Sequence, residues 1–242
     1  MASGLYIPYK RDYHIRLWLA LVMAVFLLGV SGWYGYKWFT TGEKPPVVPL
    51  PASAMADPTI DETRVTLADI NTYTVPATHP RYISIPSLNV EKARVKPLGL
   101  TKTNTLDTPK NIADTGWYNK SALPGQGFGA VLIDGHNGGI TRDGVFAKLN
   151  LLKKGDEIII ERGDGKKIRY SVMENMTETL KEANTAGMKR LMTPFDSAKE
   201  GLGLITCAGN WIPRDKVFDK RIMIRAVAQQ AENTDDKQAT KN

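Results

Sequence analysis

An all-β domain with a few short helices, set behind one membrane-spanning helix, is the fold the sequence predicts. Strand-length apolar runs recur between Pro80 and Ala228, separated by turn residues. Helical patterning there is confined to short segments, and one long apolar run, Leu17 to Phe39, stands apart near the N-terminus. Many short strands with few helices point to a closed barrel or a sandwich. The chain of 242 residues has room for one ordinary domain plus an anchor and tails.

The elements follow in chain order. Residues 1–16 carry Lys10, Arg11 and Arg16, so the positive-inside rule places this segment in the cytoplasm. The run 17–39, LWLALVMAVFLLGVSGWYGYKWF, contains no acidic residue. A helix of about 20 such residues matches the hydrocarbon thickness of a bilayer. Trp18 at one end and Trp33, Tyr34, Tyr36 and Trp38 toward the other suit the two interfaces. A cleaved signal peptide is the rival reading, with Ala54-Met55-Ala56 as the small-residue site. That site lies far beyond the apolar run, across Pro45, Pro46, Pro49 and Pro51, which favours an uncleaved anchor. Residues 40–79 read as a proline-rich extracytoplasmic spacer, with room for a short helix over Asp61 to Asp69.

The folded domain is expected over 80–228. Arg81 to Ile85 and Val90 to Val95 read as strands around a Pro86-Ser87 turn, and Ala130 to Ile133 as a buried strand ending at Asp134-Gly135. Glu157 to Glu161 and Lys166 to Val172 form a hairpin around Gly163-Asp164-Gly165. Leu202 to Thr206 is another apolar strand, and Lys220 to Val227 alternates as a last strand. Short helices are expected at Val145 to Leu152 and Ala186 to Met192. From 229 to 242 the tail is polar and has no means of burying a core.

Composition narrows the function classes. The net charge of +7 fits anionic envelope polymers or lipid headgroups. Lys and Arg are dispersed and no nucleic-acid motif accompanies them, so nucleic acid is not an expected partner. A single cysteine, Cys207, excludes an internal disulfide framework and a Cys-rich metal site.

Two sites stand at strand ends: VLIDGHN, with His136, and LGLITC, with Cys207. A thiol must become thiolate to attack a carbonyl, and an imidazole can activate it or protonate the leaving amine. Of the three histidines, His14 falls on the cytoplasmic side and His79 where the spacer meets the domain, which leaves His136 as the partner for Cys207. These sites alone leave open a core thiol and an unrelated loop histidine.

Five segments in order resemble the sortase family. RYISIPSLNV is similar to its opening strand, GAVLIDGHN to the strand that leads to its histidine, and VFAKLNLLKKGDEIIIERGDGKKIRYSV to the segment that follows. LGLITC resembles its Leu-x-Thr-Cys motif and KRIMIRA its arginine strand. The resemblance covers about Pro80 to Val227. It implies an eight-stranded β-barrel that cleaves an LPxTG-like sorting signal, with no cofactor. Cys207 would attack the scissile carbonyl and form a thioacyl enzyme, His136 would move the proton, and Arg221 would stabilise the oxyanion. Thr206, before the cysteine, would support positioning on the substrate side. Strand alternation puts Arg225 on the same face as Arg221, and Arg214 lies in the preceding loop; a solvated charge is the plainer reading of both. With a free thiol near pH ~8.5 and an imidazole near ~6.5, the barrel either shifts these values or works through a small ionised fraction.

The implied partners are surface proteins bearing sorting signals, an amine nucleophile of a cell-wall precursor or pilin, and the membrane through the N-terminal helix. GWYNKSALPGQGFGAVLIDGHN looks most like class F-type sortases, although Asn137-Gly138 and Ala208-Gly209-Asn210 depart from that pattern. Some sortases bind calcium; Glu174, Glu178 and Glu182 are the available acids, and a solvated face is their plainer reading. Two alternatives stand beside this one: a non-catalytic envelope-binding module, and another envelope cysteine transpeptidase acting on peptidoglycan peptides. The Ser-His-Gly-Cys motif of the second is absent from the chain.

Overall fold

The computed structural model describes residues 13–41, 59–212 and 214–229. Most of the expected cytoplasmic segment, most of the proline-rich stretch with Ala54-Met55-Ala56, and the polar tail from 230 lie outside the described residues. The chain divides into two units, Met1–Val48 and Pro49–Asn242.

The described residues of the first unit form one helix, α1 (Tyr13–Thr41). Its stretch Arg16–Lys37 has a mean hydropathy of 2.0. Its length and composition are compatible with a single-pass anchor: 22 residues rise about 33 Å, enough to cross a bilayer's hydrocarbon core.

The second unit is a closed eight-stranded barrel. Its strands are β1 (Pro80–Ile85), β2 (Val90–Leu98), β3 (Thr115–Tyr118), β4 (Ala130–Gly135), β5 (Glu157–Arg162), β6 (Lys167–Thr179), β7 (Gly201–Ile212) and β8 (Val217–Ala228). They join in the order β1-β2-β3-β4-β7-β8-β6-β5. The strands expected from sequence are all present, several of them longer, and Thr115–Tyr118 is an additional one. The β5–β6 hairpin turns at Gly163 to Gly165, where Gly165 takes φ +84. Alternation sends Val131, Ile133, Leu202, Leu204, Ile222 and Ile224 inward, where they pack with Ile83, Ile158, Ile160, Tyr170 and Val172. Each such side chain stabilises the fold by about 1.5–3 kcal/mol on burial.

The opposite faces of β4, β7 and β8 carry Leu132, Ile205 and Met223, which pack with Ala183 and Leu191 into a second cluster. These last two come from a helical run over Leu180–Glu182, Ala183–Gly187 and Met188–Leu191. It starts earlier than the expected Ala186, because Thr179 and Glu182 form a capping box. The expected helix at Val145 to Leu152 is reduced to a short 3₁₀ turn, Leu149–Leu151.

Residues 59–79 lie along the barrel. A helix α2 (Leu67–Thr72) is capped by Thr66 and Asp69, which moves it downstream of the expected Asp61 to Asp69. The Tyr73 hydroxyl donates to the Val95 carbonyl at 2.6 Å, and Tyr82 donates to Ile70.

Candidate active site

Strands β4 and β7 are parallel and in a constant register, from Ala130 opposite Gly201 to Asp134 opposite Ile205. Continued two residues, that offset sets His136 level with Cys207. Parity places Cys207 with the outward-facing Ile205. On the other side of β7, antiparallel pairing puts Cys207 directly opposite Arg221 of β8. The paired strands β7 and β8 therefore meet the distant end of β4 at one end of the barrel.

His136, Cys207 and Arg221 line one cleft of about 360 Å³, together with Pro109, Trp211 and Phe218. The carbonyl of Pro109 has no proton, so His136 Nε2–H must be the donor in their 2.6 Å hydrogen bond. In the neutral ring this leaves Nδ1 as the basic nitrogen. The loop after the histidine folds back tightly: Phe146 donates its amide to the His136 carbonyl at 2.9 Å, and a Cβ on Gly144 would meet that carbonyl oxygen at 2.2 Å. Only glycine fits there.

Cys207 is half-buried. Burial pushes its thiol above the usual range, Arg221 opposes the shift, and Asp134 adds to it. Burial is the largest of the three effects, so the site around Cys207 favours the thiol over the thiolate. Arg221 Nη1 donates to the carbonyls of Phe218 (3.0 Å) and Lys220 (2.8 Å), which pins the guanidinium against its own strand at the cleft.

The other sequence candidates go elsewhere. Thr206 is buried and faces inward, with its hydroxyl donating to the Gly135 carbonyl at 2.7 Å, a tie between β7 and β4 just before the histidine. Arg225 lies opposite Gly203, binds Glu174 at 3.2 Å and donates to the carbonyls of Thr193 and Pro194. Arg214 is almost fully exposed beside Asp215. His79 packs edge-on against Trp117 at 4.9 Å, in a separate cleft. His14 falls in the first turn of α1. Of the acids considered for calcium, Glu174 binds Arg225, Glu178 binds Arg190 and Glu182 caps Thr179. No group of three or more potential metal ligands occurs among the described residues.

Asp134 is a feature the sequence reading passed over, although it is the one charge in VLIDGHN. It is buried, its Oδ1 lacks a hydrogen-bond partner, and desolvation pushes its carboxyl well above the usual carboxylate range, with Asp107 adding to the effect. A carboxyl whose charged form is disfavoured by burial therefore sits on the same face as the thiol.

A comparison with family models matches residues 83–229 to the Sortase domain, more than half of the chain. This chain belongs to the sortase family. It is thus a cysteine transpeptidase, and its barrel is the sortase fold. Among solved structures, sortase A from Corynebacterium diphtheriae is 20% identical, with 90% of this chain and 88% of that chain covered and a TM-score of 0.49. Sortase C-1 from Actinomyces oris is 19% identical, covering 62% of this chain and 72% of that one at a TM-score of 0.45. A Clostridium perfringens Sortase D5 transpeptidase is 18% identical, covering 63% and 79% at 0.44. No curated protein sequence matches this sortase.

Proposed function

We propose that this sortase is a membrane-anchored enzyme, with its catalytic domain outside the cell, that cuts an LPxTG-like sorting signal and joins the protein to a cell-wall amine. The observation that carries the assignment of residues is the convergence of His136, Cys207 and Arg221 on one cleft through two strand registers.

In this scheme Cys207 Sγ, as thiolate, attacks the carbonyl carbon of the signal's threonine. The electron pair moves to the oxygen, and the Arg221 guanidinium stabilises that developing negative charge. Collapse of the intermediate breaks the peptide bond, and His136 gives its proton to the departing amine. A thioacyl enzyme remains. The incoming amine then loses a proton to His136 as it attacks the thioester, and Cys207 leaves as thiolate. Thr206 supports the scheme from below by holding β7 to β4.

The class F-type resemblance of the segment Gly116 to Asn137, and the boundaries 17–39 for the anchor, 40–79 for the spacer and 80–228 for the catalytic domain, belong to the same proposal. The segment Met173 to Leu202 is assigned peptide selectivity, because its helical run packs at Ile205 and Met223 on the thiol-bearing face. Exchanging it for that of a sortase of known preference changes the preferred peptide; unchanged selectivity removes this assignment.

The test is transpeptidation by the full-length protein in detergent, with a library of LPxTG-like peptides and triglycine, read by mass spectrometry. Cleavage after threonine with a new amide to triglycine is expected, and it is lost in Cys207→Ala, His136→Ala and Arg221→Ala. A chain that binds these peptides with undiminished affinity after Cys207→Ala and yields no product from any of them would instead be the non-catalytic module.

A further inference from the structure

Residues 59–66, which lead from the proline-rich stretch into the barrel, touch the loops on both sides of His136. Asp61 forms a parallel bridge to Asn111. Its amide donates to the Lys110 carbonyl at 2.9 Å, and its carbonyl accepts from the Ile112 amide at 2.9 Å. The Asn111 side chain donates to Asp61 Oδ2 at 3.1 Å and to the Thr63 carbonyl at 3.0 Å. This fixes the short loop whose Pro109 carbonyl accepts the imidazole proton.

The next residue fixes the other side. The Glu62 carboxylate accepts from the amides of Ile140 at 2.5 Å and Thr141 at 2.9 Å, and from the Thr141 hydroxyl. Arg142 returns a bond from its guanidinium to the Glu62 carbonyl at 3.0 Å. The loop they hold begins directly after His136 and closes on itself through a Gly138–Asp143 bridge. Gly139 lies so near that a Cβ there would meet Glu62 Oε1 at 2.3 Å.

We infer that Glu62, with Asp61, is a positioning residue for His136: the strap clamps both flanking loops and so fixes the imidazole's tautomer and placement. This rests on the reading of His136 as the group that moves the proton. β4 ends at Gly135, so the histidine has no ladder of its own to hold it. A carboxylate accepting several amide and hydroxyl donors is a stiff, charge-assisted clamp. Misplacing a proton donor by about 1 Å costs on the order of 100-fold in rate.

The test uses the full-length protein in detergent, with kinetics on an LPxTG-like peptide, melting temperature, and ¹⁵N NMR of histidine-labelled protein. Wild type shows His136 as the Nε2–H tautomer. Glu62→Ala is expected to lower kcat about 10- to 100-fold, with KM within about twofold, and to give a mixture of tautomers. Glu62→Gln keeps one acceptor oxygen and falls between the two. A folded Glu62→Ala with wild-type kcat, or with reduced kcat but an unchanged His136 spectrum, overturns the inference. If that variant does not fold, Thr141→Val removes one donor from the loop side; a several-fold lower kcat with a partial tautomer change is expected, and no change overturns the inference. His136→Ala separates the two readings. If it is active, the proton-moving role fails, and the strap's role with it. If it is inactive while Glu62→Ala behaves as wild type, only the strap is wrong.

Discussion

Arg221 and Arg225 lie four residues apart on one face of one strand, about 13 Å along it, and their surroundings differ. At the Arg225 end the guanidinium is held by an ion pair to Glu174, the carbonyls of Thr193 and Pro194, and the ring of Phe195 at 5.0 Å. At the Arg221 end no carboxylate pairs with the guanidinium among the described residues, and it is braced by backbone carbonyls alone. A paired arginine ties loops together. On the proposed scheme, a braced one without a counter-ion keeps its charge for a negative group that forms in the cleft.

The strongest way to break this comparison is truncation. Arg221→Ala is expected to lower kcat by about 100- to 1,000-fold, as loss of an oxyanion donor does, with little change in melting temperature. Arg225→Ala is expected to do the reverse. It leaves Glu174 and two carbonyls without their donor, costs about 1–3 kcal/mol of stability, and keeps kcat within a few-fold in the folded protein. If Arg225→Ala removes activity without destabilising the barrel, the roles assigned to the two ends are exchanged.

Asp134 sharpens the comparison from β4, on the far side of β7. Its folded-state affinity for a proton is raised by burial, so folding takes up a proton above the unfolded carboxylate range. From about pH 4 upward, stability therefore falls as pH rises toward the folded-state value. Asp134→Asn is expected to flatten this dependence and to be more stable than wild type by roughly 1–2 kcal/mol near pH 8, by equilibrium urea unfolding. A stability that rises over this window in wild type would contradict the raised proton affinity of Asp134.

The smallest effect concerns the thiol. Alkylation of Cys207 against pH should titrate above an ordinary thiol, because burial outweighs Arg221. Arg221→Ala should move the curve further up and Asp134→Asn should move it down, each by up to about one pH unit. Shifts of the opposite sign would mean that neither charge acts on the sulfur.

What the sequence made legible was local. The Gly163-Asp164-Gly165 turn announced its hairpin, alternation announced the inward faces, and Cys207 and His136 stood out at strand ends. The four-residue strand at Thr115–Tyr118 did not, because Thr-Gly-Trp-Tyr is too short to show a period. Nor did the parallel pairing of β4 with β7. Its partners are separated by the whole β5–β6 hairpin and the helical run, and no turn sequence specifies such a register. That pairing brings His136 level with Cys207, which spacing alone left unproved. The neighbours that distinguish Arg225 from Arg221, Glu174 and Phe195, are likewise linked to β8 by no periodicity. The clamp by Glu62 is a contact across 78 positions and has no local signature.

The central claim is that Cys207, opposite Arg221 and level with His136, takes the acyl group. Intact-mass spectrometry of the full-length protein mixed with an LPxTG-like peptide and no amine tests it directly. The expected result is a mass increase equal to the peptide's acyl fragment through threonine, located on Cys207 by digestion and lost on adding triglycine with formation of the new amide. Peptide cleavage that persists in Cys207→Ala, or an acyl group found on any other residue, would contradict it.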